Sequence, residues 1–236
     1  MKTLHSFRYV VSVLFLTIGF KVSAQIEPGV YIAELDDVRH ELKMTEDYMI
    51  HTIYDTDPAR FVKTEGGFYT IDGSELKVQL EFNSNYEADS VSSLEIPFAL
   101  EKGRLVLGTT PRLVFSPMQS KAQDLDGQWL FATRGPDQGQ DRRGEANTRK
   151  TLKYLQGGRF QWIAYDTEGM QFKGTGGGSY SSENGVYVEK IEFFSRDNSR
   201  VGAELKFDYE LKGGDWHHTG KNSKGEPMYE IWGKRK

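Results

Sequence analysis

The chain repeats itself at a fixed offset of 111 residues. When residues 51–105 are placed over residues 162–216 without a gap, 14 of the 55 aligned positions are identical. Average residue usage would give about 3–4 identities by chance. The identities include Tyr54-Asp55-Thr56 over Tyr165-Asp166-Thr167, Gly66-Gly67 over Gly177-Gly178, and Glu81-Phe82 over Glu192-Phe193. A repeat of this length indicates a duplicated domain rather than a solenoid of short units, so each copy serves as a control for the other.

The first 24 residues have the pattern of a secretory signal peptide. Two basic residues, Lys2 and Arg8, frame the start of a short apolar run, Tyr9–Phe20, and small residues precede Gln25. The run is shorter than the roughly 20 apolar residues that a membrane-spanning helix needs, and no later segment is long and apolar enough. We therefore expect an exported protein, periplasmic or secreted, with no transmembrane segment after cleavage.

The exported chain is expected to hold two domains, residues 25–118 and 124–236, joined by a short linker at 119–123. So short a linker predicts that the domains touch. Without the signal peptide, 27 basic side chains stand against 34 acidic ones, a net charge of −7, which argues against non-specific binding to nucleic acid. The sequence contains no cysteine, which excludes disulfides and thiolate metal sites and leaves an ordinary core to hold each copy.

Apolar and polar residues alternate along most of the chain. The segment Glu75–Phe82 places Leu76, Val78, Leu80 and Phe82 on one face, and Val201–Leu211 alternates in the same way. An alternation with a period of two residues predicts strands with one buried and one solvent-exposed face. Turn signals every 8–12 residues predict about eight or nine strands per copy in up-and-down order. We expect an all-β fold, and a closed barrel is favoured over a sandwich because closure removes the sheet edges.

One connection differs between the copies. The first copy joins its first two strands through Asp36-Asp37, whereas the second uses Arg134–Lys150, 17 residues rich in Gly, Asp and Arg. A loop of this length is usually a functional lid or disordered, and the sequence leaves both open. The closing residues Lys234-Arg235-Lys236 are expected to form a solvated tail.

The second copy carries motifs at both of its ends and in between. It opens with Gly127-Gln128-Trp129, contains Tyr187–Phe194, and closes with Trp216-His217-His218-Thr219-Gly220 and Glu230-Ile231-Trp232-Gly233-Lys234-Arg235. Together these resemble a lipocalin-like domain family of unknown function from exported proteins of Gram-negative bacteria. The resemblance covers most of 124–236 and reaches the first copy, which begins Gly29-Val30-Tyr31, only through the repeat. It implies tandem calycin-type antiparallel barrels, with Lys234 or Arg235 covering Trp129 through a cation–π contact.

The repeat shows where the two interiors differ. Side chains alternate between the two faces of a strand. This alternation places Glu189 on the core-facing side, where the first copy has Val78, and His218 on that side, where the first copy has Leu107. All four Trp residues lie in the second copy. Aromatic walls with a few convergent polar groups are typical of a small-molecule pocket. We therefore predict a ligand-binding site in the second barrel, formed by Trp162, Tyr187, Glu189, Tyr209, Trp216 and His218.

A carboxylate in an apolar interior needs a partner, a cation or a water-filled cavity, and His218 is the expected partner of Glu189. The favoured function is an exported binding protein whose second barrel holds a small hydrophobic or amphipathic ligand. The alternative is a non-catalytic envelope structural or protein-interaction module with filled barrels. Acid–base catalysis by Glu189 and His218, or a porphyrin on His218, remains a further alternative. No catalytic residue, metal ligand or cofactor is assigned, and His40 and His51 are interpreted as isolated histidines.

Overall fold

A computed structural model describes residues 25–119, 121–222 and 225–235. The predicted signal peptide lies outside these ranges. The described chain is all-β and forms two closed antiparallel barrels of eight strands each, arranged in tandem. This confirms the predicted fold class.

The first barrel follows the chain from strand to strand. Its strands are β1 Gly29–Leu35, β2 Val38–Met44, β3 Tyr48–Thr56, β4 Ala59–Asp72, β5 Glu75–Asn83, β6 Ser93–Glu101, β7 Arg104–Leu107 and β8 Leu113–Pro117. A one-turn helix, α1 Tyr86–Asp89, lies in the connection from β5 to β6. Strand β8 closes the barrel on β1, where Tyr31 pairs with Pro117 and Ile32 with Ser116.

The second barrel repeats this order. Its strands are β9 Gly127–Arg134, β10 Arg149–Gln156, β11 Arg159–Asp166, β12 Gln171–Glu183, β13 Val186–Phe194, β14 Glu204–Lys212, β15 Asp215–Lys221 and β16 Pro227–Lys234. Short 3-10 turns lie at Glu168–Met170 and Asn198–Arg200, and β16 closes on β9. Over the three described ranges, no helix is long and apolar enough to cross a membrane.

In each barrel, a β-bulge at the same place in the repeat breaks the strict alternation. Glu81 is skipped in the pairing of β5 with β4, because Leu80 and Phe82 pair with consecutive residues of β4. Glu192 is skipped in the same way in β13. Such a bulge re-aims the side chains beside it. Phe82, which alternation placed on the face of Leu76 and Val78, and its counterpart Phe193 therefore lie in the contact between the barrels.

The two barrels pack through a pseudo-twofold contact centred on these bulges. Glu81 accepts a hydrogen bond from Tyr165 of the second barrel at 2.9 Å, and Glu192 accepts one from Tyr54 of the first at 3.5 Å. The two tyrosine rings pack on the phenylalanine that follows each glutamate, with centroid distances of 5.0 and 4.7 Å. A surface patch that meets its own equivalent in this way is isologous, the arrangement of a C2 dimer.

One half of this contact is polar and fully buried. Arg159 of β11 donates to Glu41 of β2 at 2.6 Å, and Lys43 of β2 donates to Gln161 of β11 at 3.2 Å. Glu41 also forms an ion pair with Lys43. The Gln161 carbonyl accepts a second bond, from Thr52, at 2.9 Å. Each buried charge in this half therefore has an opposite charge in contact, as burial of charge requires.

The pseudo-equivalent half is apolar. Leu152 and Tyr154 of β10 stand at the positions of Glu41 and Lys43. They form a buried cluster with side chains of the other barrel and of β9 and β11, namely Tyr48, Ile50, Phe82, Leu130, Ile163 and Tyr165. The contact between the barrels is therefore polar at one of two symmetry-related places and apolar at the other.

The C-terminal arm ties the barrels together once more. Arg235 donates to Glu81 at 2.8 Å, its guanidinium lies 4.5 Å from the ring centre of Tyr48, and its side chain is only 3% exposed. The prediction of a solvated tail is therefore wrong for this residue. Lys234 takes the place that the resemblance implies, with its ammonium 5.5 Å from the Trp129 ring centre.

The long connection between β9 and β10 follows a defined path along its own barrel. Within Arg134–Lys150, Arg142 pairs with Asp215 at 2.6 Å. Arg143 lies over the ring of Phe131 at 4.5 Å. The loop is therefore packed against the outside and rim of the second barrel.

Strands β12 and β13 approach each other closely at the bulge, where Gly178 lies. A Cβ at this position would lie 2.0 Å from the Lys190 carbonyl oxygen, so the strands would have to separate. We expect Gly178→Ala to lower the free energy of unfolding by about 3 kcal/mol, measured by urea denaturation followed through tryptophan fluorescence. Gly144→Ala is the control, because a Cβ there meets nothing within 4 Å. Equal stability of the two variants would contradict the argument.

Glu41 predicts an acid-sensitive contact between the barrels. Burial alone would raise its pKa, but Lys43 and Arg159 outweigh burial and lower the pKa to about 2, from an ordinary 4.5. Its stabilisation is therefore complete above about pH 4.5 and is lost as the pH falls toward 2. Glu41→Gln should cost about 3 kcal/mol at pH 7, and the difference from the wild type should shrink toward zero at pH 2. Glu101→Gln, at an exposed ion pair with Arg112 of the same barrel, should show no such trend.

Candidate functional site

Four ionisable side chains enter the interior of the second barrel at positions where the first barrel is apolar. Strand pairing fixes the equivalences, because the partners of each residue in one barrel correspond to the partners in the other. The substitutions are Leu42 to Lys153, Val78 to Glu189, Leu107 to His218 and Leu113 to Glu230. The predicted contrast between the interiors is therefore larger than the two positions that the ungapped repeat indicated.

Glu189 has a lysine as its partner. Lys153 of β10 donates to Glu189 Oε1 at 2.7 Å, and both residues are nearly inaccessible, at 6% and 4% exposure. Tyr187 donates to the same oxygen at 2.7 Å. Burial, with Glu189 nearby, raises the pKa of Tyr187 well above its usual value, so its hydroxyl stays a donor. The predicted pairing of Glu189 with His218 is wrong, since neither a hydrogen bond nor an ion pair joins them within the described chain.

The Lys153 ammonium lies among aromatic rings. It is 5.0 Å from the ring centres of Tyr187 and Trp216, 5.3 Å from that of Trp232, and 6.0 Å from that of Phe207. Aromatic faces attract a cation most strongly where water is excluded. The centre of the barrel is thus filled by a lysine of the chain itself, held by one carboxylate and a cage of rings.

His218 packs beside this cage without a hydrogen bond. Its ring is 1% exposed and lies 4.4 Å from the Phe207 ring and 5.0 Å from that of Trp216, between centroids. Neither ring nitrogen has a hydrogen-bond partner in the described ranges, and Glu230 Oε2 is 3.7 Å from Nδ1. Burial and the positive charge of Lys153 lower the pKa of His218, against the opposing effect of Glu230. The imidazole is therefore neutral at neutral pH.

A cavity of about 130 Å³ opens above this filled centre, beside the connection from β13 to β14. Its walls are aromatic and aliphatic, with one acid and one base, and comprise Trp162, Glu189, Ile191, Phe194, Arg200, Ala203 and Leu205. Glu189 uses Oε1 for Lys153 and Tyr187, and Oε2 makes no hydrogen bond to any described residue. The Arg200 guanidinium likewise forms no hydrogen bond or ion pair within the described ranges. The cavity therefore offers a free acceptor and a free donor between apolar walls.

The structure divides the predicted site residues into three groups. Trp162 and Glu189 line the cavity. Tyr187, Trp216 and His218 pack below it in the barrel interior. Tyr209 lies apart, half-buried, with its hydroxyl donating to Asp124 at 2.5 Å. No residue of the Arg134–Lys150 loop lines the cavity.

Sequence reasoning missed three charged residues of this region. Lys153 stands at the 111-residue offset from Leu42, just before the compared segment began, so extending the comparison would have found it. Glu230 stands opposite His218 on β16, but loops of different length hide its equivalence to Leu113. Arg200 lies in a connection that has no counterpart of similar sequence, and no sequence signal marks it.

The first barrel contains a polar chain that the sequence did not indicate. His40 Nδ1 and His51 Nε2 are 3.1 Å apart, and His51 Nδ1 lies 3.7 Å from Glu65, so these histidines are not isolated. They are diagonal neighbours on β2 and β3. Burial and the proximity of His51 lower the pKa of His40 to about 4. Across the described ranges, no group of three or more His, Asp or Glu residues is placed to hold a metal ion.

The Lys153–Glu189 pair gives a stability test with a control built into the chain. Removing one partner leaves a buried charge without its counter-ion, which costs about 3–5 kcal/mol. We expect Lys153→Leu or Glu189→Val alone to destabilise the protein by about that amount. The double variant installs the residues of the first barrel, Leu42 and Val78, and should recover most of the loss.

The measurement is urea denaturation as a double-mutant cycle. All variants carry Tyr187→Phe, so that no buried hydroxyl is left without an acceptor. If the double variant loses as much stability as the sum of the single variants, the two charges do not depend on each other.

Comparison with known proteins adds no function to this geometry. No model of a protein family matches the chain, and no curated protein sequence matches it. The function has to be argued from the cavity and from the residues that form it.

Proposed function

We propose that the chain is an exported binding protein whose second barrel holds a small, partly apolar ligand. The observation that carries this proposal is the cavity near Trp162. It joins a carboxylate oxygen and a guanidinium, both without hydrogen-bond partners in the described chain, to apolar walls. Polar groups that converge on a cavity with apolar walls, and that the protein itself leaves unused, are typical of a binding site.

The size of the cavity limits the ligand. Its volume of about 130 Å³ is close to that of an engineered cavity of about 150 Å³ that binds benzene. Drug-sized ligands need pockets of about 300–1,000 Å³. The ligand is therefore a compact ring or short branched chain, or the end of a longer molecule that leaves through the barrel mouth.

The two polar groups define its chemistry. Glu189 Oε2 can accept a hydrogen bond from an N–H or O–H group, and Arg200 can donate to a carboxylate, a carbonyl or a similar oxygen. The charge of Glu189 is already balanced by Lys153, so this site favours a neutral donor over a full cation. Trp162 and Phe194, whose ring centres are 5.5 Å apart, provide the aromatic walls.

The resemblance to lipocalin-like domains of exported Gram-negative proteins supports this proposal. A closed barrel with an open end is a common container for one small ligand, although fold alone does not set function. The signal-peptide pattern before Gln25 supports export to the periplasm or beyond.

A second candidate is a structural or protein-interaction module with filled barrels. The observation that favours it is the centre of the second barrel, where Lys153 already occupies the aromatic cage. In this case the cavity near Trp162 would be only a packing gap, and the useful surface would lie outside the barrels.

Filling the cavity distinguishes the two candidates. Ala203→Phe places a ring in the cavity, whereas Ser92→Phe makes the same change at the repeat-equivalent position of the first barrel. Native mass spectrometry of protein from its own host, and ligand-observed NMR with compact aromatic amides and acids, should show binding by the wild type and Ser92→Phe. Ala203→Phe should bind none, and Arg200→Ala should bind at least about tenfold more weakly. Binding that survives Ala203→Phe, or a wild type that binds nothing, would favour the filled module.

A further inference from the structure

The contact between the barrels uses different chemistry in its two symmetry-related halves. The polar half joins Glu41 and Lys43 of β2 to Arg159 and Gln161 of β11. The apolar half joins the equivalent positions of β10 and β3, which hold Leu152, Tyr154, Tyr48 and Ile50. The offset of 111 residues relates the first set to the second, position by position. The difference is therefore a property of the two copies and not of two unrelated surfaces.

Burial makes the polar half selective. Glu41, Lys43 and Gln161 are fully buried, and Arg159 is 6% exposed. Arg159 is held from both sides, by Glu41 at 2.6 Å and by Glu192 of its own barrel at 2.6 Å. A buried charge whose partner is absent is strongly unfavourable. This half tolerates only a surface that supplies the matching groups.

The amide of Gln161 extends the match. Its oxygen accepts from Lys43 and Thr52, and its nitrogen donates to Thr64 at 3.1 Å and to Thr175 at 3.0 Å. All the hydrogen-bonding positions of this amide are filled, and three of its four partners belong to the first barrel. Fully connected polar networks of this kind fix orientation as well as partner.

Pairing of like barrels would remove the hydrogen bonds across the contact, although Glu41 would keep Lys43 and Arg159 would keep Glu192 within their own barrels. In a twofold pair of first barrels, Glu41 and Lys43 would face Tyr48 and Ile50, with no guanidinium to receive the carboxylate. In a twofold pair of second barrels, Arg159 and Gln161 would face Leu152 and Tyr154, and the other barrel would supply no carboxylate. Only a first barrel against a second barrel gives one matched polar half and one matched apolar half.

We propose that this contact is selective. The surface formed by β2 and β3 binds the β10–β11 surface of a second barrel and does not bind a copy of itself. The partner is therefore a complementary barrel, from the same chain or from another copy of it. Selectivity comes from the hydrogen-bonding groups that a wrong pair would bury without partners, which is discrimination against the competitor rather than added affinity. The apolar half supplies attraction that does not discriminate.

The full chain can test this after it has folded. A protease site placed in the linker at 119–123 allows the two barrels to be separated covalently while they remain in contact. Native mass spectrometry of the cleaved protein, before and after exchange in mild urea, distinguishes mixed pairs from like pairs by mass. We expect mixed pairs only.

Substitutions in the polar half of the contact then test which residues make it selective. Glu41→Gln should raise the dissociation constant of the cleaved halves at least about 30-fold, because the buried Lys43 loses the carboxylate of its ion pair and Arg159 loses one of its two carboxylate partners. Glu101→Gln, at an exposed ion pair with Arg112 of the same barrel, should leave the constant unchanged. The variant Glu41→Leu, Lys43→Tyr, Arg159→Tyr and Gln161→Ile copies the apolar half onto the polar one. It should form like pairs as well as mixed pairs.

Two outcomes would overturn the proposal. One is the appearance of like pairs from the cleaved wild type, which decides the matter even if the fourfold variant fails to fold. The other is a folded fourfold variant that still forms mixed pairs only. Loss of ligand binding would change neither result, so this test is independent of the proposed function.

Discussion

The bulges at Glu81 and Glu192 are the constraint on which the two-barrel structure depends. Each inserts one extra residue into a long strand, and that insertion sends a glutamate and the following phenylalanine out of the barrel wall. The glutamate then receives a tyrosine hydroxyl from the other barrel, from Tyr165 or Tyr54. Without the bulge, the phenylalanines would lie inside the barrels and the central contact between them would be lost. The close approach of β12 and β13 at Gly178 belongs to the same feature.

The two barrels have then diverged under different requirements. The first keeps an apolar centre, whereas the second buries an ammonium, a carboxylate and an imidazole in its centre. Replacing apolar side chains by an ion pair is at best neutral for stability, so the polar centre is not explained by folding alone. Its effect is to hold Glu189 at the base of the cavity with one oxygen fixed by Lys153 and Tyr187 and the other free. The filled centre and the open cavity are parts of one arrangement.

The candidate site shows how far sequence reasoning reaches. The substitution of Val78 by Glu189 was visible because both lie in the ungapped repeat, and Trp162 was correctly placed near Glu189. The partner of Glu189 was assigned to His218 because the comparison was extended past the C-terminal end of the aligned segment, to His218, but not past its N-terminal end, to Lys153. The actual partner, Lys153, lies on a strand that neighbours neither β13 nor β15. Contacts across a barrel depend on strand tilt and closure, which no local pattern records.

By itself, the sequence determined the number of domains, the strand character, the eight-or-nine-strand count and the replacement of apolar residues of the first interior by Glu189 and His218 in the second. These follow from local periodicity and from comparing two copies, because side-chain alternation reports burial one strand at a time. Only the tertiary structure decided which buried groups meet. It paired Glu189 with Lys153, moved Phe82 to the contact between the barrels, buried Arg235 and brought Glu41 to Arg159. Each of these contacts joins residues far apart in the chain, and its geometry is set by register, bulges and docking.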